Sequence, residues 1–226
     1  MPMSRLTLQQ IRDTARTITD TETDDVSDTL LNLYIQDGYN RIIDLERRWP
    51  FLEVSFTMNT VADQTAYTID DYTDHTIREV VSIVDPDHVR LDFVSYEIAE
   101  ETFVTNDAPS GRPMFASHWA DQIHLFPTPK EVYTLNVRAY REPTDWITAG
   151  TAPDGVEAFD LALIDYAVSR SYKMQEAFQP AQEFERSFND TVAFARRDVM
   201  KADSYAPVQL SSGGHVKSWG RHPRFR

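Results

Sequence analysis

The sequence predicts an α+β protein: an antiparallel helical bundle built from both chain ends, with an inserted, mostly antiparallel β domain and an extended C-terminal arm. Three observations carry this. Apolar residues recur every three or four positions in two segments near each terminus, the marks of amphipathic helices. Between residues 51 and 143 the period changes to two, the mark of half-buried strands. After residue 203 the periodicity stops and acidic residues disappear. The expected division is therefore 1–50 for the N-terminal helices, 51–143 for the β domain, 144–203 for a C-terminal helical hairpin and 204–226 for the arm.

The first helix is expected over Leu8–Ile18, with the stripe Leu8, Ile11, Ala15 and Ile18. Thr7 serves as N-cap and Gln10, three residues on, completes a capping box. Thr19–Asp25 is a polar connector. Ser27 caps the second helix and Val26 can staple to Leu31. Leu30, Leu31, Tyr34, Ile35, Ile42 and Ile43 keep helical spacing, which predicts a helix running as far as Trp49. Arg47 and Arg48 would then occupy its last turn and Pro50 would stop it. Gly38 inside this helix costs about 1 kcal/mol relative to alanine, which points to a close helix crossing or a local kink.

Past Pro50, Val54, Phe56 and Met58 alternate with polar residues, and Tyr67 and Ile69 follow a turn-like stretch. Ile77, Val81 and Ile83 predict a further strand, ended by Asp85-Pro86-Asp87. Val89, Leu91 and Phe93 predict a short one. Ser95 can cap a helical turn or two up to Thr102, and the prolines and glycine of Asn106–Pro113 require a loop. Met114–Trp119 and Gln122–Phe126 read as a hairpin about Ala120-Asp121. Tyr133, Leu135 and Val137 begin the last strand, and Glu142–Gly155 is a linker. The closing helices are expected over Phe159–Met174 (stripe Phe159, Leu163, Tyr166, Ala167, Met174) and Pro180–Lys201 (Phe184, Phe188, Val192, Ala195, Val199), joined by Gln175–Gln179.

The chain contains no cysteine, which excludes disulfides, thiolate metal sites and a cysteine nucleophile. No apolar run approaches the roughly 20 residues of a membrane span, and Met1–Gln10 lacks a signal pattern. A soluble protein made in the cytoplasm is expected. The net charge of −14 is uneven: residues 204–226 hold four basic residues (Lys217, Arg221, Arg224, Arg226) and no acid, which leaves −18 on the remainder. Such an acidic body is unsuited to tight DNA binding, which draws on phosphate neutralisation. The short basic tail is suited to an acidic protein surface or a neighbouring copy.

Phosphate-loop, dinucleotide, zinc-protease, serine-hydrolase and EF-hand patterns are absent from the sequence. Asp70-Asp71-Tyr72-Thr73-Asp74-His75 lacks the glycine turn and distal glutamate of a calcium loop and reads as a solvated strand end. Asp85-Pro86-Asp87-His88 reads as a polar turn. The six histidines (His75, His88, His118, His124, His215, His222) are scattered. His118 and His124 flank the Asp121 turn and are expected as an exposed pair rather than a zinc site. Trp49, Trp119, Trp146 and Trp219 are expected to anchor core or interfaces.

Three segments carry a family resemblance. Arg41–Leu52 (RIIDLERRWPFL) leads from a helix straight into strands, and Gln122–Pro129 (QIHLFPTP) precedes Thr134–Pro143 (TLNVRAYREP). A helix holding Ala167 and Tyr172 then precedes one with spaced phenylalanines. In this order the chain, over about residues 25–200, resembles the head-to-tail connector, or adaptor, proteins of tailed bacteriophages, especially the short-tailed ones. The resemblance implies a non-enzymatic virion protein, without cofactor or metal, in the neck between capsid and tail. It implies a ring of twelve copies docked under the portal protein and contacting a tail or nozzle protein. Double-stranded DNA would pass through its lumen without sequence-specific binding, and no membrane is involved. The C-terminal arm would reach the portal. The residues expected to anchor it are Tyr205, Leu210, Lys217, Trp219, Arg221, Arg224, Phe225 and Arg226. Some relatives degrade cell wall, but no residue here can be assigned that role. The alternatives are a carboxylate-dependent peptidoglycan hydrolase of the virion and a tail-completion protein that binds the tail tube.

Overall fold

The computed structural model describes residues 5–23, 25–104 and 109–200. They form six α-helices and two sheets, an α+β fold. Helix α1 spans Leu8–Thr19, with the Thr7–Gln10 capping box formed in both directions as the sequence predicts. Helix α2 spans Asp28–Asp44, and the Ser27 hydroxyl accepts from Leu30 N–H. The acid at its first position receives two cations from α1: Arg16 at 2.5 Å and Arg12 at 3.0 Å from the Asp28 carboxylate.

The expectation that α2 continues to Trp49 is corrected. The helix stops at Asp44 because Trp49, fully buried, turns back beneath its end. The indole Nε1–H lies 3.2 Å from the carbonyls of both Ile42 and Ile43, acceptors that a further helical turn would have used. Arg47 and Arg48 are therefore beyond the helix rather than in its last turn, and both pair with Glu79, Arg48 at 2.6 Å. Pro50 opens a short 3-10 turn, Pro50–Leu52, that leads into the sheets.

The strands are β1 (Glu53–Asn59), β2 (Ala66–Thr68), β3 (Ile77–Val84), β4 (Asp92–Phe93), β5 (Phe115–Trp119), β6 (Gln122–Phe126) and β7 (Thr134–Arg141). One sheet has the order β1-β7-β3 and the other β2-β6-β5-β4. All pairs are antiparallel except β4 with β5. Strand β3 departs from strict alternation. Its register against β7 shifts between Ile77 and Glu79 and again between Val80 and Ser82, so Val80, not Val81, joins Ile77 and Ile83 in the core. The expected Val89–Phe93 strand shrinks to Asp92–Phe93, with Leu91 still buried. At the β5–β6 hairpin, Ala120 (φ 51°) and Asp121 (φ 57°) adopt the left-handed pair that a two-residue primed turn requires, without glycine or asparagine. Helix α3 (Tyr96–Ala99), capped by Ser95, continues as a π-helical stretch to Val104.

Helix α4 (Trp146–Ala149) lies within the expected linker. Helices α5 (Ala158–Met174) and α6 (Phe178–Met200) follow, with Pro180 in the first turn of α6. They run in opposite directions along one another. Asp165 accepts from the Ser187 hydroxyl, the Tyr166 and Phe188 rings lie 5.0 Å apart, and Lys173 meets Glu185 at 2.7 Å. The predicted stripes of α5 and α6 are buried, with Phe184 and Val199 half-buried, except at Met174, 44% exposed at the end of α5. On α1 the expected Ile18 is 38% exposed and Thr19 is buried in its place. Two hydrophobic cores result. One takes residues from α1, α2, α5 and α6 together with Trp49, Leu52 and Trp146. The other lies among the strands, around Met58, Ile83, Leu125 and Val137. Arg5 pins the start of this path: its guanidinium Nη2 lies 2.7 Å from the buried carboxylate of Asp160, which also accepts from Leu6 N–H.

Of the two explanations for Gly38, the close crossing holds. A Cβ added there would stand 2.9 Å from Tyr166 Cδ1 on α5. The ring has no room to retreat, since Arg41 and Arg170 guanidiniums lie over it at 5.1 Å each and its hydroxyl is bonded to Asp37. Gly38→Ala is therefore expected to destabilise the protein by about 1–3 kcal/mol despite alanine's better helix propensity. Urea unfolding measures it, and equal or greater stability in the variant would contradict the crossing.

Candidate functional site

The eight residues expected to anchor a partner (Tyr205, Leu210, Lys217, Trp219, Arg221, Arg224, Phe225 and Arg226) lie outside the described residues. The candidates for chemistry can be placed. Asp70, Asp71, Asp74 and His75 are exposed around a short turn. Among the described residues, no group of three or more His, Asp or Glu side chains is arranged to hold a metal ion. His118 and His124 are not an exposed pair. His118 stands opposite Ile123 and His124 opposite Ser117, so the two rings point to opposite faces of the sheet. His124 is buried, 4.7 Å from the Tyr96 ring and 6.4 Å from Trp119, and its desolvation holds the imidazole pKa below the usual value. Burial also lowers the His118 pKa, against the pull of Asp121. The hairpin geometry expected from the sequence is right, but about a two-residue turn it opposes residues at odd separation, so His118 and His124, six apart, fall on opposite faces.

A hydrolase of the paired-carboxylate kind needs one acid kept protonated near neutrality and a second one ionised. The buried acids Asp85 and Asp160 and the half-buried Asp154 are each held by a cation instead. Asp160 is paired with Arg5, and Asp154 with Arg141 at 2.8 Å. Asp154 also accepts from Thr144, and although burial opposes it, these contacts hold its carboxyl below the usual value. Asp165 departs in the other direction, raised by burial, with Ser187 as its donor. Asp85 was hidden in what reads as a polar turn. It is 2% exposed and accepts at 2.9 Å from both Asp87 N–H and Val89 N–H, while the Arg112 guanidinium closes on its second oxygen. The aspartate-proline turn and a distant arginine were both visible in the sequence; their meeting depends on the chain's path over 27 residues.

What remains for partners is surface. A groove of about 440 Å³ lies between the C-terminal end of α2 and the second half of α6, floored by Phe188, Val192 and Ala193, walled by Leu45 and edged by Arg41 and Arg196. Another, of about 420 Å³, runs along the outer side of α2, with Leu30, Leu33 and Ile147. Large apolar side chains stand in solvent on the helices (Leu33, Leu161, Phe178, Phe194) and on the sheets and their loops (Met114, Trp119, Val132). Trp119 is stacked on Tyr96 at 5.0 Å. No described helix is long and apolar enough to cross a membrane. Such surfaces suit contact with other chains better than turnover of a small substrate.

Residues 6–210 match a family model described as SU10 adaptor protein. No curated protein matches the sequence.

The Asp85 site gives a pH-dependent stability. Burial pushes its carboxyl up, but the Val89 N–H, the Arg112 guanidinium and the Asp87 N–H outweigh it and hold the pKa below 3.8. The folded-state value is depressed, so the contribution is present above 3.8 and is lost as pH falls through the folded value. Asp85→Ala should cost about 1.5–3 kcal/mol near neutral pH. In urea titrations the gap to wild type should narrow below pH 3.8. A gap that stays constant to the acid limit would place the carboxylate's role elsewhere.

Proposed function

The chain belongs to the SU10 adaptor protein family, and on that premise we propose that it is the head-to-tail adaptor of a phage virion, forming a ring under the portal protein that extends the DNA channel and connects to the tail. Family membership makes it a bacteriophage adaptor-type protein, a structural component of the virion that associates with other virion components. The observation that carries the finer reading is the reach of the match: it spans the helices at both ends and the β region between them, so the architecture as a whole, and not one motif, is what the family shares.

In this reading the helices of 1–50 and 144–203 form the body that packs copies side by side, about twelve to a ring as the resemblance implies. The β domain of 51–143 faces outward or towards the tail or nozzle protein. The segment 204–226 is the portal-binding arm. Its basic residues and Trp219 and Phe225 are of the kinds that dominate binding energy, and its charge is opposite to that of the body. An acidic lumen repels the phosphate backbone, so DNA slides through without being held. The protein acts in the neck of the virion and requires no cofactor for this.

The reading is tested by mixing the purified chain with its portal protein. Electron microscopy should show a ring on the portal, and truncation after Asp203 should abolish docking. Trp219→Ala or Arg221→Ala should weaken docking by about 2 kcal/mol or more, roughly thirtyfold. A chain that ignores the portal but is retained by the tail tube in a parallel pull-down would make it a tail-completion protein.

A further inference from the structure

Helix α6 carries two unlike surfaces. Phe188, Val192 and Ala195 form its buried stripe. Phe194 lies on the opposite side and is 67% exposed. At about 100° per residue, the side chains one turn away on either side share its face. These include Asp190 and Asp198, both exposed, with Thr191 and the exposed Arg197 beside them. Among the described residues Asp190 meets Arg186 in a long surface pair at 3.9 Å. Phe194 is thus an aromatic knob between two carboxylates.

The α2–α6 groove has the complementary character. Phe188, Val192 and Ala193 give it an apolar floor, and its wall residue Leu45 is 50% exposed. Its polar lining is two cations, Arg41 and Arg196, against one acid, Asp44, with Asn189. Each arginine has a partner within the chain, Asp37 for Arg41 and Glu46 for Arg196. Even so, their side chains remain 51% and 48% exposed, able to receive a second carboxylate. A lone exposed aromatic is ordinary on a protein surface. Here the aromatic, its acidic flanks and an arginine-edged apolar groove that suits both occur on one chain, on different sides of one helix.

We propose that Phe194 of one copy, flanked by Asp190 and Asp198, inserts into the α2–α6 groove of a second copy of this chain. The proposal rests on the reading that copies assemble side by side, and it names the residues that meet. Knob and groove are different patches, so the contact is heterologous. Each copy that accepts a knob offers another, and the series ends only when the rotation closes a ring. The carboxylates meeting Arg41 and Arg196 set the register, while the buried ring supplies the anchor.

Because the chain has no native cysteine, the contact can be trapped without background. Full-length Phe194→Cys and Leu45→Cys chains are oxidised separately, as an equimolar mixture, and as the double variant, each in the presence of portal protein. The expected result is covalent dimers in the mixture only and a ladder of multimers from the double variant. Phe194→Ser should lower assembly at least tenfold with unchanged thermal unfolding. Dimers from Phe194→Cys alone, or wild-type assembly by Phe194→Ser, would overturn the proposal. Rings seen by microscopy without cross-links would overturn this contact and leave the ring reading standing. Neither rings nor cross-links would overturn both. Cross-linking that emerges only after truncation past Asp203 would assign the groove to the chain's own C-terminal segment and overturn the proposal as well.

Discussion

The close approach of α2 to α5 at Gly38 is the constraint on which the rest of the structure depends. These two helices lie on either side of the β region in sequence, yet one side chain on α2, had it a Cβ, would already touch the Tyr166 ring. The guanidiniums of Arg41 and Arg170 lie over the ring, and its hydroxyl donates to Asp37 on α2. The chain therefore has to leave the helices and return to the same place. The aromatic group Trp49, Phe51 and Phe159, with ring centres 5.4 to 6.0 Å apart, marks the exit and the return. Beyond it β1 and β7 pair with each other, Glu53 against Tyr140, so that the outgoing and incoming strands are neighbours. A long excursion can join a helical core at low cost only when its ends are already side by side. The Arg48–Glu79 and Arg141–Asp154 pairs then tie the strands and the segments next to the helices together.

This arrangement explains why so much of the fold is legible in the sequence. Helix starts rest on local chemistry, and Thr7, Ser27 and Ser95 all cap as their positions indicate. The Ala120-Asp121 hairpin follows from two strands separated by two residues. Local signals mislead where a distant residue intervenes. Trp49 keeps helical spacing with Ile42, yet its indole competes for the helix's last carbonyls and ends the helix five residues early. In β3 the register shifts move the buried position from Val81 to Val80, which no period reveals. Asp85 looks like a turn residue because its cation, Arg112, is distant in sequence. The candidate site was less legible than the fold. Exposed residues such as Phe194 and Leu45 break no pattern, and their meaning comes only from what lies beside them in space.

The distribution of charge adds a physical reason for specific contacts between copies. Residues 1–203 carry a balance of −18, so two such bodies repel at long range, and salt reduces that repulsion over a Debye length of about 8 Å at physiological strength. Attraction in the proposed ring must therefore come from short-range features: apolar burial, and local charge pairs that reverse the mean sign. Arg41 and Arg196 at the groove are cations on an acidic surface, and Asp190 and Asp198 beside Phe194 are what they would meet. The basic segment 204–226 works differently, since its charge is of one sign and its attraction to an acidic surface is general. Salt thus acts on the two contacts with opposite tendencies. It relieves the mutual repulsion of the bodies and would weaken the hold of the tail in the docking proposed for it. A protein that joins its own copies through one surface and a larger particle through another gains by this separation. In the proposed assembly the two attachments draw on different forces, one on short-range burial and local pairs, the other on the long-range attraction of a one-signed segment.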